Sequence, residues 1–227
     1  MEREALKGNL DRLRRRLDDA CAQWGPAQIC AVTKTVGLET INLACDLGVR
    51  IIGENRVQEL ASKAPGLDPR LQRHMIGRLQ LNKVRQALAL ADMIQSLDRI
   101  ELLDEIDRRA QALEKPMPVL VQVNIAREPQ KAGVAEEDLR AFVREAASRQ
   151  GVRVCGLMAI MPLSDDPEQL RPYFRSMRRW FDRLREEGIP GAQMRVLSMG
   201  MSGDYVVAAE EGATMVRPGR ALFGARR

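Results

Sequence analysis

Short aliphatic runs alternate with longer, charged amphipathic stretches eight times along this sequence, with no break in composition between them. The runs occupy 29–32, 49–53, 74–77, 93–96, 118–124, 152–160, 195–199 and 215–217. Val-rich 118–124, bounded by proline, is the clearest of them. Helical patterns cover 38–47, 54–63, 79–90, 100–113, 136–149, 167–187 and 205–211, and glycines at 48, 151, 188 and 212 stand where helices stop. A further amphipathic helix, 2–23, precedes the first run, with Leu6, Leu10, Leu13 and Leu17 at helical spacing. Strict strand–helix alternation predicts a parallel sheet with right-handed crossovers. Eight such units in 227 residues predict an α/β fold of one kind: a closed (β/α)₈ TIM-type barrel, a single domain over 1–227 with an extra N-terminal helix. An open doubly wound sheet is the alternative.

Aromatic residues make up only 4% of the chain, so the core has to be aliphatic, which suits helices packed on a parallel sheet. The formal charge is +5, but it is spread along helical stretches, such as 12–16 and 175–185, that also carry acids within or beside them. That pattern describes solvated helix faces, and aromatics for base stacking are scarce, so nucleic acid is not the expected partner. The four cysteines, Cys21, Cys30, Cys45 and Cys155, form no Cys-x-x-Cys and sit in apolar or helical surroundings, as reduced buried thiols do. With no apolar run of membrane-spanning length and no signal-peptide pattern, a soluble cytoplasmic protein is expected. His74 is the only histidine, which excludes a His-rich metal site and leaves no Ser-His or Cys-His nucleophile pair. It is expected to open the third strand at its amino end, away from the ligand face.

Lys34 closes the first run. In parallel α/β folds ligands bind at the carboxyl ends of strands. On position alone, a solvated lysine is the commoner outcome there, and an amine that forms a Schiff base with a carbonyl cofactor is the rarer one. Two loops bear on the choice. Leu197-Ser198-Met199-Gly200-Met201-Ser202-Gly203 leaves the seventh run, and Arg217-Pro218-Gly219-Arg220 leaves the eighth. Loops after strands seven and eight of barrels often bind phosphate, through backbone N–H groups and hydroxyls. Ser198, Ser202, Gly203, Gly219 and the Arg220 N–H suit that role. Arg217 is either a salt-bridged barrel residue or a neighbour of a heteroaromatic nitrogen, which it would keep unprotonated because it has no acceptor. A phosphate cup facing a lysine describes a site for pyridoxal 5′-phosphate. Asn55 is either a helix cap or a cofactor neighbour. Glu54 and Glu59 read as capping and surface groups. Met158, Met161, Met199 and Met201 read as apolar packing.

The stretches AVTKT (31–35), GENRVQE (53–59), HMIGRLQLNK (74–83), VQVNIAREPQKAGV (121–134), GLMAIMP (156–162), LSMGMSGDY (197–205) and GATMVRPGRALFGAR (212–226) cover nearly the whole chain in order. On them the sequence resembles the YggS/PROSC family, the pyridoxal phosphate homeostasis proteins. The resemblance implies a barrel like the N-terminal domain of bacterial alanine racemase, with Lys34 carrying the cofactor as an internal aldimine. It places Ser198, Ser202, Gly219 and Arg220 around the phosphate, Arg217 at the pyridine nitrogen and Asn55 beside the cofactor. It also implies a monomer that carries or buffers the cofactor, with cofactor-dependent apo-enzymes as partners. Two departures stand out. The family's tryptophan before His-Phe-Ile-Gly is Arg73 here. Its Ile and its small or hydroxyl residue in the last loop are Pro218 and Arg220, so a backbone donor carries over and a guanidinium stands in place of a hydroxyl.

A small amino-acid racemase dependent on the same cofactor is the alternative. It needs a second acid–base group across the ring from the lysine. Tyr173 and Tyr205 are the only tyrosines, the first in a long helix and the second after the phosphate loop. An arginine at the ring nitrogen also weakens the ring as an electron sink. A carrier without catalysis is therefore expected.

Overall fold

The computed structural model describes residues 2–224. Eight strands form one closed, all-parallel barrel in sequence order: β1 (Gln28–Val32), β2 (Ile51–Glu54), β3 (Gln72–Met75), β4 (Met93–Leu97), β5 (Met117–Val123), β6 (Val152–Ala159), β7 (Ala192–Ser198) and β8 (Met215–Val216). Closure comes from β1 pairing with β8, Gln28 beside Met215 and Ile29 beside Val216, which rules out the open sheet. Seven helices follow the first seven strands: α2 (Leu38–Asp46), α3 (Val57–Lys63), α4 (Val84–Leu90), α5 (Ile100–Gln111), α6 (Leu139–Ala147), α7 (Arg171–Glu187) and α8 (Tyr205–Glu210). A one-turn helix, α9 (Arg220–Phe223), follows β8.

The expected extra helix is α1 (Arg3–Ala20), and its leucine stripe is buried as the spacing required. Leu6 and Leu10 pack on Ala31 of β1 and on Leu222 of α9, so α1 covers the outside of the closing seam. Asn9 Nδ2 donates to the Leu222 carbonyl at 3.1 Å and ties the two ends of the described chain together.

Strand alternation sorts the residues of β1. Ala31 faces the helices, whereas Cys30 and Val32 join Ile51, Ile76 and Met215 in a cluster inside the barrel. The arginines of α7 pair with acids, Arg171 and Arg175 with the buried Glu211 and Arg178 with Asp182.

Several boundaries differ from the sequence reading, and two of them bear on the site. Glu54 is the last, fully buried residue of β2, neither a helix cap nor a surface group. His74 is the third residue of β3, paired beside Gly53 and buried inside the barrel, so it does not open the strand. Both strands are four residues long, and so short a run shows too little periodicity to place its register.

Candidate functional site

Lys34 sits on the turn that leaves β1. The Val36 N–H donates to the Thr33 carbonyl at 2.9 Å, and Thr35 takes a positive φ of 65°. An L-residue with a side chain rarely holds that conformation unless its surroundings fix it. Here they do. Glu59 accepts the Thr35 N–H at 2.6 Å. Lys63 Nζ donates to the Thr33 carbonyl at 2.8 Å, to Glu54 at 2.8 Å and to Glu59 at 2.7 Å. Glu54 also accepts the Thr33 hydroxyl at 2.7 Å. One ammonium and two carboxylates thus clamp both sides of the lysine. Burial pushes the Glu54 carboxyl up from its ordinary range, against the opposing pull of Lys63 and Thr33, and its Oε2 is buried with no partner. Glu59 and Lys63 form an i,i+4 pair on α3, and the strand-end Glu54 completes the set, where the sequence suggested only capping and surface groups.

Across the mouth, β7 ends at Ser198 and the chain turns through Gly200, whose φ is +89°. A β-carbon there would lie 2.6 Å from that of Ala208, so the turn needs glycine. Asp204 accepts the Met201 N–H at 2.5 Å and fixes the loop. Ser202 Oγ accepts the N–H groups of Gly219 and Ala221, at 3.0 and 3.1 Å, which leaves its own O–H to donate.

A cavity of about 360 Å³ lies between these two loops. Lys34, Ser202, Gly203, Arg217, Gly219 and Arg220 all line it, together with Asp204 and the segment after β6. Its size is within the range of small-molecule sites. An amine at one side, with a hydroxyl, small residues and a guanidinium at the other, is the donor set that a phosphorylated aldehyde requires, and the cavity fits pyridoxal phosphate on that ground.

The remaining expected residues lie elsewhere. Ser198 does not line the cavity. It is fully buried, accepting from Arg217 Nη1 at 2.7 Å and donating to Gln95 Oε1 at 2.7 Å. Gln95 Nε2 reaches His74 Nδ1 at 2.8 Å, and Arg217 Nη2 donates to the Ala159 carbonyl at 2.7 Å. A buried polar chain therefore runs across the barrel from β3 through β4 and β7 to Arg217. Burial pushes Arg217 down to about 10, still cationic at neutral pH, and pushes the neighbouring Cys30 thiol up to about 12. Burial also pulls His74 down to about 4, so its ring is neutral. Gln95 escaped the sequence reading. The signal was available, because Gln95 and Ser96 interrupt an otherwise apolar strand.

Asn55 lines a separate recess. Neither tyrosine lines the cavity. Tyr205 turns outward under Arg16 of α1, 5.7 Å from its ring centre, and Tyr173 packs against the apolar layer between sheet and helices. Among the described residues no group of three His, Cys, Asp or Glu side chains is arranged to hold a metal, and no helix is long and apolar enough to cross a membrane.

The family described as alanine racemase, N-terminal domain, matches residues 2–227. A pyridoxal phosphate homeostasis protein of Aquifex aeolicus is 42% identical over 223 residues, covering 96% of this chain and 97% of that protein. PipY of Synechococcus elongatus PCC7942 is 36% identical, with 96% of this chain and 100% of that one covered. Its structures superpose with TM-scores of 0.87 without PLP and 0.85 with PLP bound. The alanine racemase of Clostridium difficile 630 shares the fold alone, at 16% identity and a TM-score of 0.76, with 98% of this chain and 56% of that one covered.

Proposed function

The chain belongs to the pyridoxal phosphate homeostasis proteins, within the alanine racemase N-terminal domain family, and from that membership we propose that it holds pyridoxal 5′-phosphate reversibly on Lys34 and carries it, without turning over an amino acid. One observation supports the reading above the rest: Lys34, the Ser202 hydroxyl, Gly219 and Arg220 line a single cavity.

The cofactor, when bound, supplies an aldehyde that condenses reversibly with a primary amine. The chain's own residues do the rest. The Glu54–Lys63–Glu59 clamp sets the direction in which the Lys34 side chain leaves the barrel. The Ser202 hydroxyl and the Arg220 guanidinium hold a phosphate, the latter in place of the hydroxyl usual in the family. Arg217, fixed by Ser198 and Ala159, presents only donors to the cavity and so stabilises no proton on a ring nitrogen facing it. The cavity offers no tyrosine or histidine to exchange a proton at a substrate carbon. Its one carboxylate, Asp204, already accepts from the Met201 N–H. A tether fits this arrangement better than a two-base catalyst does. The recipients are apo-enzymes that use the cofactor, and the carrier acts as a monomer.

Adding pyridoxal phosphate to the purified protein is expected to produce a visible absorbance band that borohydride fixes covalently. The Lys34→Ala variant loses both the band and the fixed adduct. A band of equal strength in that variant overturns the assignment of Lys34. Loaded protein incubated with L-alanine in heavy water is expected to leave the Cα proton unexchanged. Exchange at enzymic rates overturns the carrier reading.

A further inference from the structure

The recess that Asn55 lines holds about 880 Å³ and shares no lining residue with the Lys34 cavity. It opens at the exits of β2, β3 and β4, on the ligand face of the barrel. Four cations line it, Arg56, Arg78, Lys83 and Arg99, and no carboxylate does. Asp98 stands behind two of them, 3.6 Å from Arg78 and bonded to Arg99, with its own side chain 3% exposed. Arg99 is fixed further by donating to the Leu79 carbonyl at 2.9 Å. Arg56 and Lys83 enter no ion pair among the described residues.

Asp98 balances two of these four charges, and Glu59 of α3 lies within electrostatic reach of Arg56, so the concave wall keeps an excess of positive charge. Concave surfaces lined by one sign of charge concentrate counter-ions. Preset guanidinium groups bind planar and tetrahedral oxyanions through paired N–H donors, and a lysine adds a point charge. The wall is also built close: a β-carbon on Gly77 would lie 2.3 Å from the Asn55 carbonyl oxygen, so the β2 and β3 exits meet only because residue 77 is glycine.

We propose that this recess is a second ligand site, which takes a small molecule carrying two or more anionic oxygen groups, a phosphate ester or a polycarboxylate. The proposal does not depend on the cofactor reading, because it uses neither Lys34 nor the β7 and β8 loops.

Titration calorimetry with pyrophosphate and with citrate, at ionic strength matched by potassium chloride, tests it. Saturable binding of at least one of them is expected, and whichever binds tighter names the source. Two sets of variants separate the sites. Ser202→Ala with Arg220→Ala disables the phosphate cup of the first cavity and leaves this binding within twofold. Arg56→Gln with Lys83→Gln weakens it tenfold or more. A direct reading on the unaltered protein accompanies these: the anion that binds protects Lys83 from acetylation, followed by mass spectrometry, severalfold more than it protects exposed Lys7. Failure to saturate at matched ionic strength overturns the proposal. So does binding that survives the Arg56/Lys83 changes, or binding that disappears with Ser202 and Arg220. If the glutamine variant does not fold, unprotected Lys83 in the unaltered protein overturns it alone.

Discussion

At Lys63 a single ammonium serves three acceptors, and two of them are carboxylates that would otherwise repel each other beside the Lys34 turn. Its side chain is only 11% exposed, so water cannot replace it. Lys63→Met leaves Glu54 buried and uncompensated. A stability loss of about 3–5 kcal/mol is expected, read from urea unfolding. The same change made together with Glu54→Gln is expected to lose clearly less, since a neutral amide tolerates burial better. Equal losses in both proteins would refute the ionic account of the clamp. His74 supports a second prediction at this scale. Its folded pKa, about 4, lies below the ordinary 6.5. Below pH 6.5 the unfolded chain takes up a proton that the folded chain refuses, so this residue's share of stability is complete above 6.5 and drains away as the pH falls toward 4. The full swing is about 3 kcal/mol at most, from 1.36 kcal/mol for each pH unit. Unfolding of His74→Gln against the parent between pH 7 and 4 is expected to show a difference that shrinks or reverses on acidification. A difference that stays constant with pH would refute it.

Among the elements, the β7–α8 loop carries the sharpest local requirement. Gly200→Ala puts a methyl group against Ala208 in a backbone conformation unfavourable to side chains. A loss of about 1–3 kcal/mol is expected. Retention of pyridoxal phosphate on gel filtration is expected to fall with it, because Ser202 and Gly203 move with the loop. Unchanged retention would mean that the loop does not hold the phosphate. The elements also show what a sequence can disclose. β5 and β6 are long enough for their apolar pattern to locate them, and α1 and α7 declare themselves by leucine and phenylalanine spacing. β2 and β3 carry four residues each, and there the pattern ran out, misplacing Glu54 and His74. The loops after β7 and β8 drew notice in the sequence through their small residues, and Ser202, Gly203, Gly219 and Arg220 do line one cavity with Lys34. The inward turn of Ser198 was not, because which face a strand's last residue takes depends on the register of neighbouring strands. The clamp on Lys34 was hidden for a related reason, since it joins a strand end to a helix through tertiary contact.

Over the whole molecule, eight strands of one direction place every strand exit on one rim, and two chemically distinct hollows share that rim. One is lined by Lys34, Ser202, Gly219 and Arg220, and the other by four cations. The seam between β1 and β8 has a consequence in time. It is two residue pairs long, covered by α1 and latched by Asn9 to Leu222. Lys34 follows β1, and Arg217, Gly219 and Arg220 follow β8. A chain still emerging from the ribosome already displays the lysine, but it has no partner loops to oppose it. The loops that line one cavity with Lys34 are thus complete only once the stretch after β8 has been made, and a chain broken off before it would carry the lysine on an unclosed sheet.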